Sequence, residues 1–330
     1  MKGFSIITCT YNPDKQLLNR LCTSLSALEK CNYNFEVIIV DNNSQLPIAD
    51  LPRIHQLKTA LSNTRVVNEG KPGLTHARIR GVEEAQYEWI IFFDDDNEPA
   101  KDYLVKAEEL ISNYPTVGCW GPGNIAVEFL GNTSAFASGK KELFQQRTME
   151  DTVIDNVRWG QNAYPYGTGM IVLQTILQEY IKQVRTGNYT MSDRVGKSLI
   201  SGGDIQILLT GIKMGYYAGS SHLLRLHHLI KSEKTRYKKM LQLVFMLSAS
   251  AIKTYNQVFP DQPHSVRPVS NRDVLKIAYG QMRMHLFKRP VKELVYETTR
   301  RMGELQAHVI ASPGNRPPRL LNLYHKMISD

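Results

Sequence analysis

Three consecutive carboxylates, Asp94-Asp95-Asp96, follow the apolar run Ile90-Ile91-Phe92-Phe93 and are followed by Asn97. Gathered at the end of a strand they repel one another unless a cation neutralises them. Hard divalent ions take such oxygen ligands, and Mg²⁺ or Mn²⁺ commonly combines one or two carboxylates with phosphate oxygens of a substrate. Strand side chains alternate, so Asp94 and Asp96 are expected on one face and Asp95 on the other. Two more polar clusters, Thr10-Tyr11-Asn12 and Asp41-Asn42-Asn43-Ser44, also close apolar, β-branched runs. The three clusters together define a site lined by carboxylates and amides.

The elements that must carry these clusters can be read from periodicity. Buried strands are expected at Phe4–Thr10, Phe35–Val40 and Trp89–Phe93, with a short one at Thr64–Val67. Between them fall helices: one capped by Asp14 with Leu17, Leu18, Leu21, Leu25 and Leu28 spaced at three and four residues, another over Leu74–Glu84, and a third over Lys101–Ser112. Strand–helix alternation at this rhythm gives an α/β fold with an open, mostly parallel sheet. Ligands of such sheets bind outside the carboxyl ends of the strands, where the polar clusters stand. No GxGxxG follows the first strand, which argues against a dinucleotide site. Residues 117–166 read as short strands and loops, Gly202–Met214 as a helix and Tyr216–Leu226 as a strand or two. Helical periodicity returns near 233–258, 271–288 and 290–308, and Ser312–Pro318 reads as an extended arm.

The 330 residues carry a net charge of +9, with a pI near 9.2. Residues 231–330 hold 18 Lys and Arg against 7 Asp and Glu, a net of +11, while the first 230 are slightly acidic. The basic excess therefore sits away from the polar clusters, and no nucleic acid is expected as a partner. Acidic lipid headgroups, a phosphate-bearing acceptor or a merely solvated helix surface account for it as well. Four cysteines without a CxxC pair argue against a disulfide framework and fit a reducing compartment. The opening MKGFSIITCTYN reads as a first strand rather than a secretory signal, and the apolar stretch Met240–Ile252 is too short to span a bilayer.

The blocks Ser5–Asn12, Val37–Ser44, Asn68-x-Gly70 with Ala77-Arg78-x-x-Gly81, and Asp94-x-Asp96, in this order and rough spacing, resemble the family 2 glycosyltransferases of GT-A fold. The resemblance covers roughly residues 1–230 as a nucleotide-sugar-binding catalytic domain, leaving 231–330 as a basic helical extension. It implies that Thr10, Tyr11 and Asn12 lie against the nucleotide, with the tyrosine packed on the base. Asp41 would accept a hydrogen bond from that base, uracil in many members. Lys71 and Arg78 would lie near the diphosphate, Asp94 near ribose and metal with Asp95 beside it, and Asp96 would be the direct metal ligand. The segment Tyr166-Gly167-Thr168-Gly169 resembles the Gly-rich stretch flanking donor sugar and acceptor. Ser201-Gly202-Gly203-Asp204 corresponds to the motif whose aspartate is the general base, although Gly203 stands where a glutamate is usual. His228 aligns with a histidine that binds metal or phosphate, and Lys234 stands where an arginine is common.

The resemblance implies inverting transfer from a nucleotide-diphosphate sugar, UDP-linked by preference, to a saccharide or lipid-linked acceptor, with Mn²⁺ or Mg²⁺ as cofactor. It further implies a role in cell-surface polysaccharide or glycolipid synthesis and a cytoplasmic setting, peripheral at the inner membrane face. The basic helices would serve acceptor binding, contact with an anionic membrane, or homodimer formation. Two rivals are a sugar nucleotidyltransferase of similar fold and a non-catalytic module that binds nucleic acid or membrane. Thr10-Tyr11-Asn12-Pro13 lacks the Gly-rich phosphate loop of the first, and the intact acidic motifs speak against the second.

Overall fold

The structure, a computed structural model, describes residues 1–160, 162–190, 202–285, 290–312 and 314–329. The first half runs β1 (Gly3–Thr10), α1 (Lys15–Ser26), β2 (Asn34–Asp41), α2 (Pro52–Ala60), β3 (Thr64–Asn68), α3 (Leu74–Glu84), β4 (Trp89–Phe92), β5 (Asn97–Pro99), α4 (Tyr103–Asn113) and β6 (Val117–Leu130). The second runs α5 (Ala135–Ser138), β7 (Val153–Asp155), β8 (Met170–Leu173), α6 (Gln174–Arg185), α7 (Gly203–Lys213) and β9 (Tyr217–Lys231). Four helices follow: α8 (Tyr237–Val258), α9 (Asn271–His285), α10 (Val291–Ala311) and α11 (Arg319–Ser329).

Among the described residues nine strands form one sheet in the order β3-β2-β1-β4-β8-β6-β9-β5, with β7 also paired to β9. The sheet is parallel across β3, β2, β1 and β4, as the alternation of strands and helices requires. Beyond β4 it is mixed. β8 runs antiparallel to both β4 and β6, β6 and β9 are parallel, and β5 and β7 are antiparallel to β9. The fold class is thus α/β, with a helical C-terminal part.

Alternation along each strand divides the core in two. Phe4, Ile6, Val37, Ile39 and Ile91 face α1, α2 and α4, whereas Ile7, Ile38, Val40, Ile90 and Phe92 face α3, α6 and α7. Asp14 caps α1, accepting from the Gln16 and Leu17 amides at 2.8 and 3.1 Å, and its other oxygen binds Lys231 Nζ at 2.5 Å. A third core lies between the C-terminal helices, around Phe245, Tyr296, Met302, Leu305 and Leu321. α8 belongs to two cores: Leu241, Val244 and Phe245 pack in the third, Tyr255 and Val258 against the sheet. Gly303 lets α10 approach α8 closely, since a Cβ there would lie 2.5 Å from the Phe245 carbonyl oxygen.

Several parts differ from the sequence expectation. Residues 117–130 form one long strand, because register shifts at Val117/Cys119 and Pro122/Asn124 absorb the Gly and Pro residues that read as turns. β9 extends through His227 and His228 to Lys231. α2, β5, β8, α6 and α11 were not anticipated, and α11 directly follows the proline-bearing arm.

Candidate functional site: the acidic rim of the sheet

Parallel pairing brings the carboxyl ends of β1, β2 and β3 into register, with Thr10 opposite Asp41 and Asp41 opposite Asn68. The loops leaving these ends are tied to one another by side-chain amides and carboxylates. Buried Asp41 accepts from the Ser44 amide at 2.9 Å and the Ile48 amide at 3.2 Å, which winds the following loop around its carboxylate. Buried Asn42 donates to the Glu69 and Lys71 carbonyls at 3.1 and 2.7 Å and accepts from the Gly73 amide at 2.8 Å, fixing the turn that leads into α3. Asn12, in the left-handed region at φ 47°, accepts from the Gln45 amide at 2.8 Å, and its own amide donates to Ser44 Oγ at 2.9 Å. Between these ties Tyr11 is 61% exposed, so it is not a core aromatic. Asn42 does as much as any residue to shape this rim, yet only its membership of a polar cluster marked it in the sequence.

β4 stops at Phe92, and Asp94-Asp95-Asp96 occupy the turn before β5. Strand alternation therefore does not apply to them, and the three carboxylates fan out instead. Asp95 accepts from the Thr10 hydroxyl, Asp94 from the Thr168 hydroxyl at 3.4 Å, and Asp96 from Lys234 Nζ at 2.9 Å. Buried Asn97 braces the turn, accepting from the Asp94 amide at 3.0 Å and donating to Asp96 Oδ1 at 3.1 Å. Burial, reinforced by the neighbouring Asp96 charge, pushes the Asp95 carboxyl up to about 6. Burial also works against ionisation of Asp96, but Lys234 and His228 overcome it and hold this carboxyl well below the usual range.

β9 delivers His228 to the same spot, opposite Asn97 across the β5–β9 pair. Its Nδ1 lies 2.9 Å from the Phe144 carbonyl, which can only accept, so Nδ1 carries a proton. Nε2 then faces Asp96 Oδ1 at 3.4 Å. Burial disfavours the charged ring, yet Asp96 more than offsets this and raises the His228 pKa. A neutral imidazole anchored through Nδ1 to a backbone carbonyl, with Nε2 beside a buried carboxylate, is a donor pair that suits a dication. Asp96 and His228 therefore fit Mn²⁺ or Mg²⁺, with Asp94 two residues earlier in the same turn. Lys234 holds the second Asp96 oxygen with a monovalent charge.

The 166–169 segment links this acidic turn to α7. Thr168 reaches Asp94, while a Cβ on Gly167 would come within 2.7 Å of Asp204 Oδ2. Gly169 adopts φ 71°, and its carbonyl accepts from the Tyr103 hydroxyl at 2.5 Å. Half-buried Tyr166 lies under the Arg147 guanidinium at 4.5 Å, and Arg147 donates to the Tyr164 carbonyl at 2.9 Å and Ser220 Oγ at 2.8 Å. Arg147 was not anticipated, since a single arginine in a loop-like stretch carries no periodic signal. Asp204 lies in the first turn of α7, with Gly202 at the cap position, and accepts from the Ile205 amide at 3.2 Å. The Ser201 of that motif lies outside the described residues.

The two cations expected near the diphosphate differ in placement. Lys71 is exposed, whereas Arg78 is buried with its guanidinium 5.5 Å from the centre of the Phe92 ring. The Cys9 thiol is pushed up to about 12 by burial and lies within electrostatic range of Arg78, Asp94 and Asp95 alike.

A second ligand-like cluster occupies the opposite face of β5 and β9. Glu98, Glu128 and His227 bring one ligand atom each within 4.8 Å of one another. Arg20 fills that cluster, donating to Glu98 at 2.6 and 2.7 Å and to Glu128 at 3.0 and 2.8 Å, so a guanidinium already takes the cation's place. A cavity of about 670 Å³ opens on this face, lined by Thr23, Lys101, Asn124, Arg147 and Arg225 among others. None of the residues expected to bind the donor lines it.

Comparison with known proteins bears on the fold and the family. A glycosyltransferase of Bacillus subtilis strain 168, YfnE, is 27% identical over 187 residues, covering 53% of this chain and 47% of the relative. The amylovoran biosynthesis glycosyltransferase AmsB of Erwinia amylovora is 32% identical over 115 residues, covering 33% and 36%. The chain thus spans less than half the length of these curated relatives. Among solved structures, GalNAc-T7 with UDP, GalNAc and Mn²⁺ superposes with a TM-score of 0.54 at 14% identity, over 96% of this chain and 59% of that one. S. aureus TarS gives 0.50 at 16% identity, over 99% and 53%. At such identities the likeness is one of fold. The sequence pattern of the family described as "Glycosyl transferase family 2" matches residues 5–181, which include the acidic turn and the 166–169 segment but neither Asp204 nor His228. With more than half of its residues inside that pattern, the chain belongs to glycosyl transferase family 2.

Proposed function

We propose that the chain is an inverting glycosyltransferase that moves a sugar from a UDP-sugar to the hydroxyl of a saccharide or lipid-linked acceptor. Residues 1–230 would form the catalytic part and 231–330 a basic helical region serving acceptor or membrane contact. The observation that carries the reading is the 167–168 segment, which touches Asp94 through Thr168 and Asp204 through Gly167. Donor-side and acceptor-side carboxylates therefore flank one short stretch of backbone, which approaches Asp204 so closely that only glycine fits at 167.

In this reading exposed Tyr11 packs on the base. Asp41, whose oxygens keep a lone pair each beyond the Ser44 and Ile48 amides, accepts from it, with Thr10 and Asn12 holding the loop. Lys71 meets the diphosphate directly, and buried Arg78 adds positive potential. Asp96 and His228, with Asp94, would hold Mn²⁺ or Mg²⁺, and Asp95 would keep Thr10 in place. Such an ion, when bound, supplies positive charge to the diphosphate oxygens as the leaving group forms. Asp204 takes the proton of the acceptor hydroxyl while that oxygen bonds to the anomeric carbon on the face away from the diphosphate. The bond from that carbon to the diphosphate oxygen breaks, and its electron pair departs with UDP. The match to an amylovoran biosynthesis enzyme supports a role in making a cell-surface polysaccharide or glycolipid.

Thermal denaturation with UDP and UDP-sugars, with and without MnCl₂, tests the donor site, because a ligand bound only by the folded state must stabilise it. Stabilisation should need nucleotide and metal together and vanish in Asp96→Ala. Equal stabilisation of that variant, or none by any uridine nucleotide, contradicts the reading.

A further inference from the structure

The C-terminal helices bury one side and leave an unusual one outside. On α9, Val274 and Gln281 are buried. On the far side, Leu275, Tyr279 and Met282 are 58%, 63% and 45% exposed. Their spacing, i, i+4 and i+7, makes one continuous apolar stripe on a helix surface. Exposed Arg272, Lys276 and Arg283 run alongside it. The one carboxylate of α9, Asp273, is turned to Ser270 and Arg267 at the helix start. α11 meets α9 where the Leu320 amide donates to Asn271 Oδ1 at 2.9 Å, and it repeats the pattern. Leu323 and Met327 are 62% and 63% exposed beside exposed Arg319 and Lys326, and the described part of α11 holds no acidic residue.

We infer that the outer face of α9, extended by α11, seats the protein on an anionic lipid surface. An apolar stripe with cations along its flank matches a bilayer interface: the Leu, Tyr and Met side chains enter the headgroup boundary while Lys and Arg reach the phosphates. The charge pattern decides against the other occupants. In a symmetric dimer through this face, the three cations of α9 would meet the same three on the partner. Nucleic acid would satisfy the cations but leave the stripe in water. No helix among the described residues is long and apolar enough to cross a membrane, so contact here lies on the surface. Attachment through this face does not depend on which donor the catalytic part uses.

Co-sedimentation with vesicles tests it. Binding is expected to vesicles of phosphatidylcholine with about 30% phosphatidylglycerol, to weaken with salt, and to be near background on phosphatidylcholine alone. Lys276→Glu with Arg283→Glu should weaken binding to the anionic vesicles by tenfold or more, at roughly a factor of five per cation removed. Tyr279→Ser with Met282→Ser should also weaken it, at unchanged surface charge. All four positions are exposed, so both variants should melt and shift with UDP and Mn²⁺ as the parent chain does. Equal binding to neutral vesicles, no binding to either, or unaltered binding by both double variants overturns the inference. So does a concentration-dependent dimer in sedimentation velocity that the same substitutions abolish, since a second copy would then own the face.

Discussion

The rim of the parallel strands and the C-terminal helices are both rich in ionisable groups, but they treat them in opposite ways. At the rim Asp41, Arg78, Asp96 and His228 are buried, and Asp41, Asp96 and His228 have partners at hydrogen-bond or ion-pair distance. In the helices the charges lie nearer the surface, in half-exposed pairs such as Arg300 with Glu297 and Glu304. Withdrawing a charge from water costs several kcal/mol unless partners replace the solvent, whereas an exposed pair contributes about 0–1 kcal/mol. Ionic groups are therefore kept at the rim at the expense of stability, and the helices are held by Phe245, Tyr296, Met302 and their neighbours. Substitutions should separate the two regions: chemistry lost at the rim, folding lost in the helical core, and little of either on the helix surface.

The largest separation is expected from Asp204→Asn. Its loss as a base should lower turnover by roughly 10²–10⁴, while stabilisation by UDP and Mn²⁺ persists. Lost donor stabilisation with near-normal turnover would reverse the assigned role. Phe245→Ala tests the other region. Emptying this buried ring position should cost about 3–5 kcal/mol in urea unfolding, with donor affinity of the folded fraction unchanged. A much smaller cost would mean that the helices are not held by this core. Lys234→Met sits at the boundary. Without the ammonium on Asp96, the Mn²⁺ concentration for half-maximal stabilisation at a fixed UDP concentration should fall severalfold, because a competing charge about 3 Å away is gone. An unchanged or higher requirement would indicate that Lys234 assists the metal. Arg300→Ala should be the mildest, changing stability by about 1 kcal/mol or less. A larger loss in a double-mutant cycle with Glu304 would break the contrast between the regions.

The rim was more legible than the helices for a physical reason. Its clusters are short and contiguous, and parallel pairing turns neighbours in the sequence of a strand end into neighbours in space, so the strand ends at Thr10 and Asp41 could be read directly. Groups whose role depends on a distant partner could not. Asn42 acts on residues 27 to 31 positions away and Arg20 on Glu98 and Glu128, 78 and 108 positions away. Strand alternation does not govern Asp94, Asp95 and Asp96, because β4 ends at Phe92. In β6 the Gly and Pro residues spoke for turns, and pairing along β9, with β8 on the other side at Cys119 and Trp120, makes them a strand. In the C-terminal region periodicity marked α8, α9 and α10 and composition marked an excess of Lys and Arg, but neither told which side of a helix the charges take.

The central claim is that the dication belongs to the Asp96–His228 side of β5 and β9, and not to the Glu98–Glu128–His227 side that Arg20 already occupies. Anomalous diffraction at the manganese edge from crystals soaked with MnCl₂ and UDP addresses this directly. The account predicts a peak bonded to Asp96, with the uridine diphosphate oxygens completing its shell. A peak on the Glu98 face, or carboxylates at the rim turned to solvent with no ion beside them, would contradict it.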